Sequence, residues 1–200
     1  SNNGGTTTCG RSATPLNFTD AKAANKVCTT WQKAYNTVVG GDTVLVMSGD
    51  YGDVTLPNDR GLNSNVTFAV ANQQSVTFRD YTAGQVSGPN WPCNNVSGAS
   101  NITINGPIKA RNVQVDCTDK VTLDGWEVDC TGCTGGGEAQ MFHAESADNM
   151  TFKNGSIHDS TAVNPTGGMS YISGFNLTFD NVDFYNAGAG DSLVHSECMY

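Results

Sequence analysis

Asn65-Val-Thr-Phe68, Asn101-Ile-Thr-Ile104, Lys120-Val-Thr-Leu123, Asn149-Met-Thr-Phe152 and Asn176-Leu-Thr-Phe179 repeat one phrase along the chain, and Ser75-Val-Thr-Phe78 is a looser copy. Side chains alternate across a β-strand, so the large apolar residues flanking each threonine share one face and the threonine takes the other. Val66/Phe68, Ile102/Ile104, Val121/Leu123, Met150/Phe152 and Leu177/Phe179 are therefore predicted core pairs, with Thr67, Thr103, Thr122, Thr151 and Thr178 facing outward. The later threonines are 19, 29 and 27 residues apart (103 to 122, 122 to 151, 151 to 178). That interval suits one coil of a solenoid with variable loops, and its irregularity argues against a strict ankyrin or leucine-rich array.

A bend and a second strand follow each phrase: Asn105-Gly106 then Ile108, Asp124-Gly125 then Trp126 and Val128, Asn154-Gly155 then Ile157, and Asn181 then Val182 and Phe184. Asn and Gly reach left-handed backbone angles at low cost, which a sharp bend between strands requires. Upstream, Trp31, Ala34, Tyr35, Val38 and Val39 recur at helical spacing. A short amphipathic helix over the open end of the first coil explains their place in the order.

The reading is all-β: a right-handed parallel β-helix solenoid with a short N-terminal capping helix. It forms a single domain over 1–200, with the cap in 1–40 and the coils in 41–200. Cys198-Met199-Tyr200 reads as mid-strand, so the expectation is a fragment of a longer protein or a last coil that a partner covers.

A helix, then Gly40-Gly-Asp-Thr-Val-Leu-Val-Met-Ser-Gly-Asp-Tyr51, then recurring Asn-x-Thr-apolar strands resembles the opening of the pectate-lyase-like right-handed β-helix superfamily, over nearly the whole chain. The resemblance implies the fold. It implies no single reaction, because the superfamily spans polysaccharide lyases, glycoside hydrolases, epimerases, phage tailspikes and noncatalytic adhesins. Arg11, Arg60, Arg79 and Arg111 all precede the candidate site described below, which argues against a standard pectate lyase.

The 200 residues are 38% hydrophobic without a long apolar run, which fits one domain and no membrane span. A formal net charge of -9 repels nucleic-acid phosphates and anionic lipid, so neither nucleic acid nor membrane is an expected partner, whereas calcium is a compatible one. The start has neither the basic residues nor the apolar stretch of a signal peptide, and reads as that of a mature secreted chain. Seven cysteines, at 9, 28, 93, 117, 130, 133 and 198, point to an extracellular, disulfide-bonded protein with one cysteine left over. Cys130-Thr-Gly-Cys133 lacks a second CxxC or a histidine pair and reads as a loop staple rather than a metal or redox site.

Three further segments align: Met141-Phe-His-Ala-Glu-Ser146, Met169-Ser-Tyr-Ile-Ser-Gly174 and Leu193-Val-His-Ser-Glu-Cys198. With Phe142, Ala144, Ile172 and Val194 inward, His143/Tyr171/His195 stack beside Glu145/Ser173/Glu197, on rungs about 4.8 Å apart. Cleavage of a uronate polysaccharide needs a base for the proton beside the carboxyl group, an acid for the leaving oxygen, and a cation or neutral acid to quiet the carboxylate. His143, His195 and Tyr171 can supply the first two, and Glu145 and Glu197 can orient a histidine or hold calcium. Glycoside hydrolysis is the neighbouring option, since Glu145 and Glu197 two rungs apart would stand about 9.6 Å from one another, near the spacing of an inverting pair.

The expected function is thus to bind or cleave an extracellular, acidic polysaccharide, as a lyase does. The alternative is a noncatalytic adhesive or filament-forming solenoid that self-associates through its uncapped C-terminal coil.

Lesser candidates carry plainer readings. His158-Asp159 and Lys153 suit a neighbouring face, though a turn histidine and a surface lysine are the commoner outcome. Asp116, Asp119, Asp124, Asp129, Asp180, Asp183 and Asp191 lack the spacing of an EF-hand or calcium nonapeptide and read as turn formers. One outward threonine file is too little for an ice-binding face. Asn-x-Thr/Ser at Asn65, Asn101, Asn149, Asn154 and Asn176 coincides with the phrase and its bend, so it reads as strand and turn chemistry rather than glycosylation.

Overall fold

A computed structural model of the chain describes residues 9–14, 16–56, 58–72, 74–84, 93, 97–131, 141–160 and 170–187. Two short helices, α1 (Phe18–Ala23) and α2 (Trp31–Thr37), precede the strands. These are β1 (Thr43–Val46), β2 (Gly49–Asp50), β3 (Val54–Leu56), β4 (Val66–Val70), β5 (Val76–Ala83), β6 (Ile102–Val115), β7 (Val121–Asp129), β8 (Phe142–Ala144), β9 (Thr151–Ser160), β10 (Ser170–Ile172) and β11 (Thr178–Ala187). Strand makes up 50% and helix 8%, so the chain is all-β, with its strands joined in one mostly parallel sheet that does not close.

Register shows how the repeats stack. The phrase threonines lie side by side from Thr67 through Thr103, Thr122 and Thr151 to Thr178, and Thr43 of β1 extends the file backward. Their neighbours from Val66/Phe68 through Met150/Phe152 are buried, and Leu177 and Phe179 pack partly buried against the same core. A second set of segments stacks Phe78, Ala110 and Val128 inward. A third stacks Tyr81, Val113, Phe142 and Ser170. The 14 residues of β6 run through all three sets, bending at an irregularity between Asn105 and Ile108.

Asparagines make the corners. Asn154 (φ 52°) and Asn181 (φ 54°) are left-handed at the bend after the phrase, as are Asn101, Asn149 and Asn176 at its start. Their side chains stack as well: Asn176 Nδ2 donates to Asn149 Oδ1 at 2.8 Å and Asn149 Nδ2 to Asp119 Oδ1 at 2.7 Å. Asn181 Nδ2 donates to Asn154 Oδ1 at 3.0 Å and Asn154 Nδ2 to Asp124 Oδ1 at 2.9 Å. The side-chain amides thus form two ladders that run from coil to coil along the bends, each amide bonded to the Asn or Asp side chain of the preceding repeat.

α2 starts at the N-cap Thr30, whose hydroxyl accepts from the Lys33 N–H, and it buries Trp31, Ala34 and Tyr35. The Trp31 ring stacks on Phe68 at 5.0 Å and meets Phe78 edge-on at 5.1 Å, so the helix covers one part of the core. α1 has no counterpart in the sequence reading. Cys9–Cys28 and Cys93–Cys117 are disulfides, and Cys130 is disulfide-bonded too; Cys133 and Cys198 lie outside the described residues. No helix among the described residues is long and apolar enough to cross a membrane.

Candidate functional site

The third set of segments carries the predicted ladder. β8 and β10 alternate as their apolar neighbours dictate: Phe142 and Ala144 are buried on one side, which turns His143 to the other. Tyr171 pairs with His143 in parallel register, and the two rings stack at 5.1 Å with 15° between their planes. Ser173 follows on the next outward position, and its Oγ accepts from the Ser146 N–H at 3.4 Å. His195 and Glu197 lie outside the described residues.

The ladder also extends backward, which sequence reasoning missed. The end of β6 pairs with β8 so that Gln114 faces His143, and Asp116 stands just beyond Gln114. Asp116 had the look of a turn former; it is instead 0% exposed and forms the floor of the site. Its Oδ1 lies 2.7 Å from His143 Nδ1 and also accepts the Glu145 N–H at 3.1 Å, while its Oδ2 accepts from Gln114 Nε2. A buried carboxyl persists only with such partners. Gly84 makes room for it, since a Cβ there would stand 2.2 Å from the Asp116 carbonyl oxygen and φ at Gly84 is +75°. The available signal was spacing: Asp116 and Glu145 each stand six residues before a phrase threonine (116 to 122, 145 to 151).

Glu145 completes the cluster on the opposite side of the imidazole, its Oε2 3.7 Å from His143 Nε2. The residue is 8% exposed, and burial pushes its pKa above the usual carboxylate range; nearby Asp116 adds to the rise and His143 opposes it. His143 therefore sits between two carboxyl groups, one at each nitrogen. An Asp116 carboxylate accepting at Nδ1 selects the tautomer that leaves Nε2 free to accept, beside a carboxyl whose pKa is raised.

That rise has a consequence for stability. A carboxyl with a folded pKa above its unfolded one favours the fold at low pH, and its contribution is lost as pH climbs from the ordinary glutamate range through the raised value. Glu145→Gln removes this titration. Its melting temperature is expected to fall less than that of the wild type between about pH 4 and about pH 8, and an identical fall in both proteins would refute the burial effect.

A second polar cluster lies on the middle segments. His158 is not a turn residue: it is a β9 strand residue, 5% exposed, paired with Asp129 on one side and Tyr185 on the other. Its Nδ1 lies 2.7 Å from Asp159 Oδ2 and its Nε2 3.3 Å from Glu127 Oε1. Among the described residues, Glu127, Asp129 and His158 bring three candidate metal-ligand atoms within 4.8 Å of one another. The Lys109 ammonium already bridges Glu127, at 3.1 Å, and Asp129. Burial works against ionised Asp129, but the hydrogen bonds from Lys109 and Thr131 outweigh it and hold the pKa at about 2. An ion there would have to displace the protein's own cation. Lys153 makes an ordinary cross-strand pair with Asp124, at 3.3 Å.

Set beside known protein families, curated proteins and solved structures, the chain matches none of them.

Proposed function

We propose that this chain is an extracellular β-helix protein that cleaves an acidic polysaccharide by general acid–base chemistry at Asp116, His143, Glu145 and Tyr171, as a lyase. Three stacked parallel segments per repeat, asparagine corners and a helix over the core support the β-helix reading. Two disulfides and the lack of an apolar spanning helix among the described residues are compatible with secretion.

The observation that carries the reaction is one imidazole held between a buried carboxyl and a carboxyl of raised pKa. Pairs of titratable groups pushed to different protonation states are the usual means of running acid and base steps at one pH. In the proposed step, His143 Nε2 takes the proton on the carbon beside the uronate carboxylate. Those electrons form the new carbon–carbon double bond as the bond to the glycosidic oxygen breaks. The Tyr171 phenol, stacked on His143, protonates the leaving oxygen and recovers its proton from solvent as His143 loses its own. Glu145, in the protonated form that its burial favours, donates a hydrogen bond to the substrate carboxylate and quiets its charge. Calcium is a second means to the same end, so it enters the test as a variable.

The test is the ultraviolet absorbance of unsaturated uronate during incubation with pectate, alginate or a glycosaminoglycan, with calcium and with chelator. A rise is expected on one of these substrates, and His143→Ala is expected to reduce it by a factor of about 10²–10⁴. Loss of His143 also removes a partner of buried Asp116, at a cost of about 1–3 kcal/mol in stability, so folding of the variant is checked by its melting curve. No rise on any substrate, or undiminished turnover by folded His143→Ala, overturns the proposal.

A further inference from the structure

We propose that Glu127, Asp129 and His158 form a binding site for a divalent transition ion of the zinc class, with Asp159 orienting the imidazole from behind; the inference does not depend on the acid–base reading above. Alternation along β7 turns Glu127 and Asp129 outward on either side of buried Val128, and register places His158 of β9 beside Asp129. One nitrogen and two carboxylate oxygens thus come within 4.8 Å of one another, with His158 Nε2 3.3 Å from Glu127 Oε1. Ligand atoms about 2.0–2.1 Å from a shared tetrahedral ion stand about 3.3 Å apart, so this nitrogen and oxygen are already at ligand spacing.

The imidazole is held in the orientation this role requires. His158 is 5% exposed, its ring stacks on Tyr185 at 4.5 Å, and its Nδ1 lies 2.7 Å from Asp159 Oδ2. Hydrogen bonds from His158 and Asn186 hold the Asp159 carboxyl below the usual carboxylate range. An ionised Asp159 accepting at Nδ1 selects the tautomer whose Nε2 lone pair faces Glu127. A carboxylate behind a ligating histidine fixes ring and tautomer in this way at metal sites generally.

The protein's own cation marks the place. Lys109 Nζ lies 3.1 Å from the same Glu127 Oε1 and 2.5 Å from Asp129 Oδ2, so both carboxylates already converge on one positive charge. The lysine side chain is 48% exposed and can swing into water, where exposed ion pairs are lost at little cost. A divalent ion balances both carboxylates and takes the imidazole nitrogen as a third ligand. Calcium is the poorer fit, because it takes about six to eight oxygen ligands, whereas the donors here are one nitrogen and two carboxylates. Three protein ligands leave a zinc-class ion its fourth position for water.

The experiment is calorimetric titration of the full chain, freed of metal by chelator and dialysis, with zinc chloride and, for comparison, calcium chloride. Zinc is expected to bind with a Kd of about 10 μM or less, and calcium at least about a hundredfold more weakly. Glu127→Gln/Asp129→Asn is expected to weaken zinc binding at least about a hundredfold. Asp159→Asn keeps all three ligands at a left-handed position that suits asparagine, and is expected to weaken it about tenfold to a hundredfold. Lys109→Met removes the competing ammonium and is expected to tighten it about threefold to tenfold. If the double variant does not melt as a folded protein, Glu127→Gln alone serves, with an expected weakening of about tenfold. The proposal is overturned if the wild type takes up no zinc, if calcium binds as tightly, if a folded Glu127 variant binds zinc as the wild type does, or if Asp159→Asn or Lys109→Met leaves the affinity unchanged. The readout is equilibrium binding, so it stands or falls separately from uronate turnover.

Discussion

Asp116→Asn is expected to cut uronate turnover by a factor of about 10²–10⁴ while the protein still folds. Asparagine has nearly the shape of aspartate, and it can keep one oxygen toward His143 Nδ1 and the Glu145 N–H. Its amide nitrogen then takes the place of Oδ2, where Gln114 can turn its own amide to present an acceptor. What disappears is the negative charge beneath the imidazole, and with it the stabilisation of the imidazolium that forms when Nε2 takes a proton. In the other orientation the amide nitrogen faces Nδ1, the ring proton moves to Nε2, and the base is lost altogether. Either way the effect falls on kcat. Turnover within about threefold of the wild type would show that Asp116 is only a structural partner.

Trp126→Ala is expected to lower unfolding free energy by about 3–5 kcal/mol. The side chain is 1% exposed and lies among Phe78, at 5.6 Å, and Tyr81, at 5.1 Å, so it joins the second and third sets of segments. Its Nε1 donates to the Ile104 carbonyl at 3.1 Å, which ties the first set to the second. Truncation opens a cavity between all three sets and removes that hydrogen bond. Urea unfolding measures the loss. A change below about 1 kcal/mol would mean that the surrounding aromatics close the gap, against the tight packing expected of such a core.

Much of this architecture was legible in the residues. Val66/Phe68 through Met150/Phe152 could be placed inside, and the threonines outside, because alternation across a strand is a local property of the backbone. Asn154 and Asn181 could be read as bends because their left-handed angles are costly for most other residues. Even the stacking of Tyr171 on His143 followed from aligning Ile172 with Ala144, since one apolar position in register carries its polar neighbours with it.

Asp116 and His158 were not legible in this way. Asp116 precedes a cysteine and two short polar stretches, a setting where aspartate is commonly a turn former. Its burial depends on Gly84 leaving room and on Gln114, His143 and Glu145 supplying partners, from three separate segments. His158 likewise owes its burial and its stacking to strands on either side, and Asp129 owes its depressed pKa to Lys109, 20 residues away.

The sequence by itself determined which side chains face the core and where the backbone must bend, because both follow from alternation and allowed dihedral angles over a few residues. Only the tertiary structure decided which outward side chains meet. Asp116 and His143 are 27 residues apart, and what brings their atoms to 2.7 Å is the register between segments, which depends on the path of every intervening loop and on the packing beneath it.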